Sequence, residues 1–306
     1  MSGGKPAYIR LHEEGILGKR IKDAINALNE CRLCPRECGA DRLNSSAGFC
    51  RTGRFARVAS YGPHFGEEAP LAGSHGSGTI FFSSCNLLCS FCQNYDISHG
   101  NAGNEVKPDE LASMMIGLQV SGCHNINFVT PSHVVPQILE ALPAAVEKGL
   151  HIPLIYNTGG YDSVQTLKLL DGVIDIYMPD FKFWDNKYAL LFCNANGYRE
   201  TVCAALAEMH AQTGDLVIED EVAVRGILLR HLVMPGGIAG TREIMNFVAG
   251  KISINTYVNV MNQYRPCYNA NRFSRIAKRI TREEYADALV YAVKTGLRRI
   301  DGSIIK

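Results

Sequence analysis

The sequence predicts an α/β protein in which parallel strands alternate with helices. Three observations carry that expectation. Short apolar runs recur at 79–83, 125–130, 153–157, 174–178, 227–234 and 257–261, the length of buried strands. Stretches with helical spacing of apolar residues separate them, and several of these stretches end in glycine, as helix C-termini do. Strand–helix alternation repeated along six candidate strands requires crossover connections and therefore parallel pairing. Right-handed crossovers roll such units into a barrel or into an open doubly wound sheet, and periodicity alone does not choose between the two.

Taken in order, the segment EEGILGKRIKDAINALNEC places Ile16, Leu17, Ile21, Ala24, Ile25 and Leu28 on one helical face. It leads into Cys31, Cys34, Cys38 and Cys50, spaced C-x2-C-x3-C-x11-C, with Pro35 and two glycines breaking regular structure. Four thiols so close together in a polar loop predict a small metal-stapled module. Zinc and an iron–sulfur cube both fit; four incidental cysteines is the bland alternative. Next, YGPHFGEEAP (61–70) reads as a solvated loop over one end of the sheet, with a metal or acid–base role for His64, Glu67 and Glu68 as the sharper alternative. GSHGSG precedes a strand and lacks the G-K-[ST] ending, so it is a flexible connection and not a phosphate loop. Helices follow at 108–122, 134–149, 163–172, 198–214 and 241–251, and the tail predicts a closing helix with Thr281 as N-cap and Glu284 three residues on. The expected organisation is a leader with the four-cysteine module over 1–60, the strand–helix domain over 61–270, and a C-terminal helix within 271–306 that packs on it.

Charge is nearly balanced, 31 Lys and Arg against 30 Asp and Glu, so neither nucleic acid nor an anionic membrane is an expected partner. No apolar run reaches the roughly eighteen residues of a membrane span, and the N-terminus lacks the apolar core of a signal peptide. The expected location is the cytoplasm. Eleven cysteines are many for that compartment, where disulfides rarely persist, which favours metal ligation for the clustered ones. The scattered Cys123, Cys193, Cys203 and Cys267 are expected to be small buried hydrophobes.

The stretch FFSSCNLLCSFCQNYDIS puts Cys85, Cys89 and Cys92 directly after the first predicted strand. Cluster irons normally take four cysteine thiolates. Three leave one iron open, and an open position is what lets a metal site bind substrate. The C-terminal end of a strand is also where β/α folds keep their chemistry.

Cys-x3-Cys-x2-Cys with Phe91 before the last cysteine resembles the signature of the radical S-adenosylmethionine (SAM) superfamily. Gln93-Asn94 resembles the continuation seen in the activating enzymes of glycyl-radical enzymes. YNTGGY (156–161), MPDFK (178–182) and RHLVMPGG (230–237) resemble that superfamily's strand-end motifs. The resemblance covers roughly 78–265 and is to the pyruvate formate-lyase-activating-enzyme-like branch. It implies a partial (β/α)6 barrel. It also implies an oxidoreductase that reductively cleaves SAM at a [4Fe-4S] cluster to a 5′-deoxyadenosyl radical, which abstracts hydrogen from a substrate. That substrate is a protein glycine, as for an activase, or alternatively a small molecule or peptide. An electron donor such as flavodoxin or ferredoxin is implied as a partner.

By the same resemblance Cys85, Cys89 and Cys92 hold the cluster, and Phe91 and Asn94 lie near the adenine. Asp180 and Lys182 sit beside the polar end of SAM on inward strand positions. Arg230 reaches a carboxylate or the ribose, and Asn157 and Thr158 line the mouth. Asp180 and Arg230 as a plain structural ion pair is the competing reading. Where the family has Gly-Gly-Glu after its second strand, this chain has Thr130-Pro131-Ser132-His133. Thr130 and Ser132 are then the expected acceptors for the SAM ammonium, and His133 is either an acid–base group or a partly exposed histidine without a catalytic role. A non-catalytic metal-binding interaction module is the reading from another class; it explains the leader and leaves the strand-end motifs idle.

Overall fold

The computed structural model describes residues 6–45, 48–100 and 102–301, so the first residues of the leader and the last of the C-terminal segment lie outside it. Ten strands form its sheet: β1 (Ala56–His64), β2 (Ser77–Phe82), β3 (Asn104–Val106), β4 (Ile126–Val129), β5 (Leu154–Thr158), β6 (Ile176–Pro179), β7 (Val217–Glu219), β8 (Val222–Leu232), β9 (Tyr257–Met261) and β10 (Arg299–Asp301). Their order is β10-β9-β8-β6-β5-β4-β2-β1-β3, with β7 hanging on β8. From β2 to β10 every neighbour along this path is parallel. β1 runs antiparallel to β2 and carries β3 on its far edge.

The six strands expected from the sequence are β2, β4, β5, β6, β8 and β9, each within two residues of its predicted span except β8, which begins five residues earlier than expected, at Val222. Four were not expected. β1 hides behind Gly62 and Pro63, which read as a turn; β3 pairs only with Ala56–Val58, so Pro63 stands where no ladder hydrogen bond is needed on that side. β3, β7 and β10 are three residues each, too short to show a period. β1 also runs across the expected boundary at residue 60, so the sheet begins inside the leader.

Chain order and sheet order agree throughout the parallel run. A doubly wound sheet reverses direction at a switch point; this one adds each strand to the same edge, which puts all right-handed crossovers on one face. Both faces are buried, which explains the near-continuous apolar strands. One face packs on the helices through Ile80, Phe128, Tyr156 and Leu229. The alternate residues Ile155, Ile176, Met178 and Leu228 form a separate inner cluster with Leu71. Full burial of such side chains contributes about 1.5–3 kcal/mol each.

The sheet is not closed, but it is concave. Asn259 on β9 donates through Nδ2 to Glu68 Oε1 at 2.9 Å, and Arg230 on β8 faces Glu67 at 3.8 Å. The chain just after β1 therefore touches strands near the opposite edge.

Helices stand where the period placed them, at Pro108–Val120, Val135–Glu147, Val164–Leu169, Tyr198–Thr213 and Thr241–Phe247. Local chemistry starts them. Pro108 occupies the first turn of its helix, where no amide donor is needed, and Glu110 accepts from the Lys107 N–H at 2.6 Å. Thr281 and Glu284 form the expected capping box of Arg282–Lys294, at 2.8 and 3.1 Å. That helix packs beside Thr241–Phe247, and the chain after it returns to the sheet as β10. Among the described residues no helix is long and apolar enough to cross a membrane.

Candidate functional site

β2 delivers the chain to the rim of the concave face, where it turns through two left-handed residues, Ser84 (φ 71°) and Leu88 (φ 51°). A non-glycine residue costs about 1–2 kcal/mol in that region, so the loop is held from outside. His133 donates from Nε2 to the Ser83 carbonyl at 2.9 Å, and Asn86 donates through its side chain to the Tyr161 carbonyl at 2.6 Å. The Ser90 N–H donates to Phe192 O at 2.7 Å, and Ser90 O accepts from the Asn269 N–H at 2.9 Å. The result points Cys85, Cys89 and Cys92 into one cavity of about 360 Å³.

Each of these sulfurs already has a neighbour able to stabilise it. The Leu87 N–H donates to Cys85 Sγ, the Ser98 hydroxyl to Cys92 Sγ and Cys193 to Cys89 Sγ, all at 3.3 Å. Burial pushes the Cys85 thiol up to about 12. Contact with Cys193 together with burial raises Cys89, and burial raises Cys92, while the nearby Lys182 ammonium pulls both down. Thiols so shielded become thiolates when a metal takes the proton's place.

The opposite wall is polar. Arg230 donates from Nε to Asp180 Oδ1 and from Nη2 to Asn157 Oδ1, both at 2.7 Å. Lys182 donates to the other Asp180 oxygen. Burial opposes the Asp180 carboxylate, but Arg230 and Lys182 outweigh it and hold the group below the ordinary range. Burial likewise opposes the cations, and Asp180 overrides it in both, raising Lys182 and Arg230. The triad is charged, with two cations on one carboxylate. Glu67, 8% exposed on its side chain, stands near Arg230, and burial raises its carboxyl.

Between the walls runs the turn after β5. Asp162 accepts from Tyr156 Oη at 2.9 Å and from Thr158 Oγ1 at 2.6 Å, fixing the threonine hydroxyl at the mouth. Gly160 adopts φ +80°, and a Cβ there would lie 2.5 Å from the Asp180 carbonyl. At Gly159 a Cβ would press on Leu87 of the cysteine loop at 2.5 Å. Two glycines are needed for this turn to pass between Asp180 and the loop.

Of the residues expected at the cofactor site, Phe91, Asn94, Thr130, Asn157, Thr158, Asp180, Lys182 and Arg230 line this cavity with the three cysteines. Ser132 stands behind the wall, 2% exposed and 3.0 Å from the Thr158 hydroxyl. His133 is 1% exposed, not at the mouth; burial lowers it to about 4, so it is a neutral latch on Ser83. Asp180, one residue past β6, continues the ladder as a parallel bridge to Arg230, and Lys182 two residues on faces the same cavity. Asp180 and Arg230 are an ion pair and cavity residues at once. The expected solvated loop 61–70 is half strand, and it carries His64 and Glu67 into the cavity wall.

Asp162 and Cys193 are the site residues that sequence reasoning missed, and Glu67 entered it only as the sharper alternative to a solvated loop. Only YGPHFGEEAP offered a signal, two carboxylates among turn formers. Of the scattered cysteines, Cys123 is buried as expected, Cys203 and Cys267 are half-buried, and Cys193 faces Cys89.

The leader forms a second sulfur-rich site. Cys31, Cys34 and Cys50 are buried and Cys38 is exposed. Burial, reinforced by Cys50, Cys31 and Cys38, pushes the Cys34 thiol up to about 12. Arg42 is 1% exposed and donates to Thr52 O at 2.7 Å and to Cys31 Sγ at 3.6 Å, with no carboxylate partner among the described residues. A guanidinium buried this completely needs a counter-charge, and the thiols are the groups able to supply it.

No family model matches the chain. The uncharacterized protein MJ0674 of Methanocaldococcus jannaschii is 32% identical over 290 residues, a match that spans 92% of this chain and 80% of that protein. The chain belongs to the family of that protein.

Among the described residues no three ligating side chains converge closely enough to make a ready-formed coordination shell. Both donor sets are nevertheless all sulfur, the chemistry that suits iron–sulfur clusters or zinc and not hard cations. In the cavity, a three-thiol loop with Cys89 buried and Cys85 and Cys92 half-buried faces an arginine–carboxylate–lysine wall across a space of ligand size. Such a pocket can hold a metal centre on one side and a zwitterionic ligand against the other.

Proposed function

We propose that the chain is a radical SAM oxidoreductase. One observation carries the reading: residues picked from separate strand-end motifs, all but Ser132, meet around the cavity that the three-cysteine loop faces. Parallel strands added in chain order, and a concave face open at the strand C-termini, support a partial (β/α)6 barrel made by β2, β4, β5, β6, β8 and β9. Cys85, Cys89 and Cys92 would hold a [4Fe-4S] cluster, and Leu87 N–H, Ser98 and Cys193 would hydrogen-bond their sulfurs. With the cluster bound, one-electron reduction supplies the cleavage of SAM to methionine and a 5′-deoxyadenosyl radical.

The remaining work falls to this chain's side chains. Arg230, pinned by Asp180 and Asn157, offers a fixed fork to a carboxylate or to ribose hydroxyls. Lys182 keeps positive charge beside the thiolates. Phe91 is 5% exposed and packs edge-on against Phe183, giving an apolar wall near the loop. Thr158 is oriented by Asp162 and closes the rim.

The test is anaerobic: reconstituted protein with SAM and dithionite should release 5′-deoxyadenosine, and Cys89→Ala should release none. No nucleoside product from fully loaded wild-type protein defeats the reading. Hydrogen abstraction from a protein glycine is the activase form of this chemistry. A glycyl doublet in electron paramagnetic resonance on a protein encoded next to this one supports it, and product formation from a metabolite or peptide pool supports the alternative.

A further inference from the structure

The helix Asn186–Cys193 violates the pattern of a surface helix. Its inner face is Ala189, Phe192 and Cys193, all buried. Its outer face presents Leu190 and Leu191, 51% and 52% exposed, where polar residues belong. The two leucines, with Tyr188, Lys187 and Arg275, border a surface groove of about 690 Å³.

Two charged residues border that groove: Lys187, which pairs with the N-cap carboxylate of Asp185 at 2.8 Å, and Arg275, which belongs to a basic segment of the chain. The segment from 262 to 282 contains six Arg and Lys and no Asp or Glu, in a chain whose net charge is only +1. Arg272, Arg275, Lys278 and Arg279 are exposed, and among the described residues none of them joins an ion pair. An apolar centre with a basic rim is the anatomy of a docking surface for an acidic protein. A nucleic-acid site would offer cations and stacking aromatics without two bare leucines at its centre.

What lies beneath identifies the partner's chemistry. Ser90 of the cysteine loop is gripped from both sides, donating to Phe192 O of this helix and accepting from Asn269 N–H of the basic segment. Cys193, at the helix end, stands 3.3 Å from Cys89. Phe273 of the basic segment packs edge-on against Phe192. The outer leucines are thus separated from Cys89 by one helix thickness, on the order of 10 Å.

We propose that the Leu190–Leu191 face and its rim around Arg275 form the docking site of a small acidic protein that carries a one-electron redox centre. The proposal rests on the reading that Cys85, Cys89 and Cys92 hold a reducible metal centre. In the encounter one electron leaves the partner's reduced centre and arrives at that metal centre; no bond forms or breaks. A transient contact of this kind buries little area and is steered by charge, so its affinity falls with salt.

Flavodoxin and a small acidic ferredoxin serve as probes, titrated calorimetrically into the reconstituted full-length chain. Micromolar binding to at least one at low ionic strength is expected, weakening at least tenfold in about 0.5 M salt. Leu191→Glu and Arg275→Glu should each weaken it at least tenfold, while Val120→Glu, on a separate exposed helix position, leaves it unchanged. Binding to neither carrier, or binding indifferent to both groove variants, overturns the proposal. So does a single-stranded RNA that binds more tightly than the carriers through the same two positions. Dithionite bypasses the surface, so dithionite-driven SAM cleavage should be equal in all variants. If it fails in wild type while carrier binding persists, the functional reading fails and the docking surface stands.

Discussion

Arg36 of the leader donates from Nε to the carbonyl of Asn86 at 2.8 Å, joining positions 50 residues apart. Arg36 lies between Cys34 and Cys38, and Asn86 lies between Cys85 and Cys89, so one guanidinium ties the two sulfur sites together. Its other nitrogens donate to Cys193 O at 2.9 Å and to Asn194 O, and it stacks on Phe49 with 3.9 Å to the ring centroid. Arg36→Ala should cost about 2–4 kcal/mol in urea unfolding, because charge-assisted hydrogen bonds to three carbonyls are lost. Arg36→Lys should recover little, since an ammonium cannot span three acceptors. An unchanged midpoint in Arg36→Ala would show that the leader is held by other contacts.

Cys193 is expected to tune the centre on Cys89 without ligating it. A hydrogen bond to a ligand sulfur stabilises the reduced, more negative form. Cys193→Ala should keep its iron and shift the midpoint potential more negative in a titration followed by electron paramagnetic resonance, and Cys193→Ser should shift it less. Loss of iron in Cys193→Ala would make Cys193 a ligand instead.

Arg230→Lys keeps the charge but removes the fork held by Asp180 and Asn157. SAM affinity measured by equilibrium dialysis should drop tenfold or more, about 1.4 kcal/mol. Equal affinity in the variant would reduce Arg230 and Asp180 to a structural pair.

His231 donates from Nδ1 to Phe181 O and accepts at Nε2 from Thr241, both at 2.8 Å, and burial lowers it to about 4. The unfolded chain takes the proton near 6.5, so the folded pKa is the lower one. The stability it contributes is complete above about pH 6.5 and is lost as pH falls toward 4. Relative to His231→Gln, wild type should lose up to about 3 kcal/mol over that window. Parallel stability curves for the two proteins would contradict this assignment.

The leader thiols should hold a closed, anionic metal site whose charge Arg42 balances. Metal analysis distinguishes its two forms: zinc plus about four irons per chain indicates a structural site, and about eight irons indicates a second cluster able to relay electrons. Cys34→Ser should lose the leader metal while the signal of the other centre persists. A variant that loses neither metal nor stability would make the four cysteines incidental.

By itself the sequence determined what depends on near neighbours: the strand and helix periods, the capping box at Thr281, the two cysteine spacings and the strand-end motifs that line the cavity. Those features are local, so a short window contains all the chemistry that produces them. Tertiary structure alone decided what depends on distant partners. β1 stayed hidden because it is stabilised by pairing with β2, not by its own period. Glu67 enters the wall because the sheet curls until the chain after β1 meets β8. His133 is buried because the rim closes over Ser83. Cys193 meets Cys89 across 104 positions because the Asn186–Cys193 helix packs beneath the loop. Burial and the approach of remote charges follow from the path of the whole chain, which no local pattern encodes.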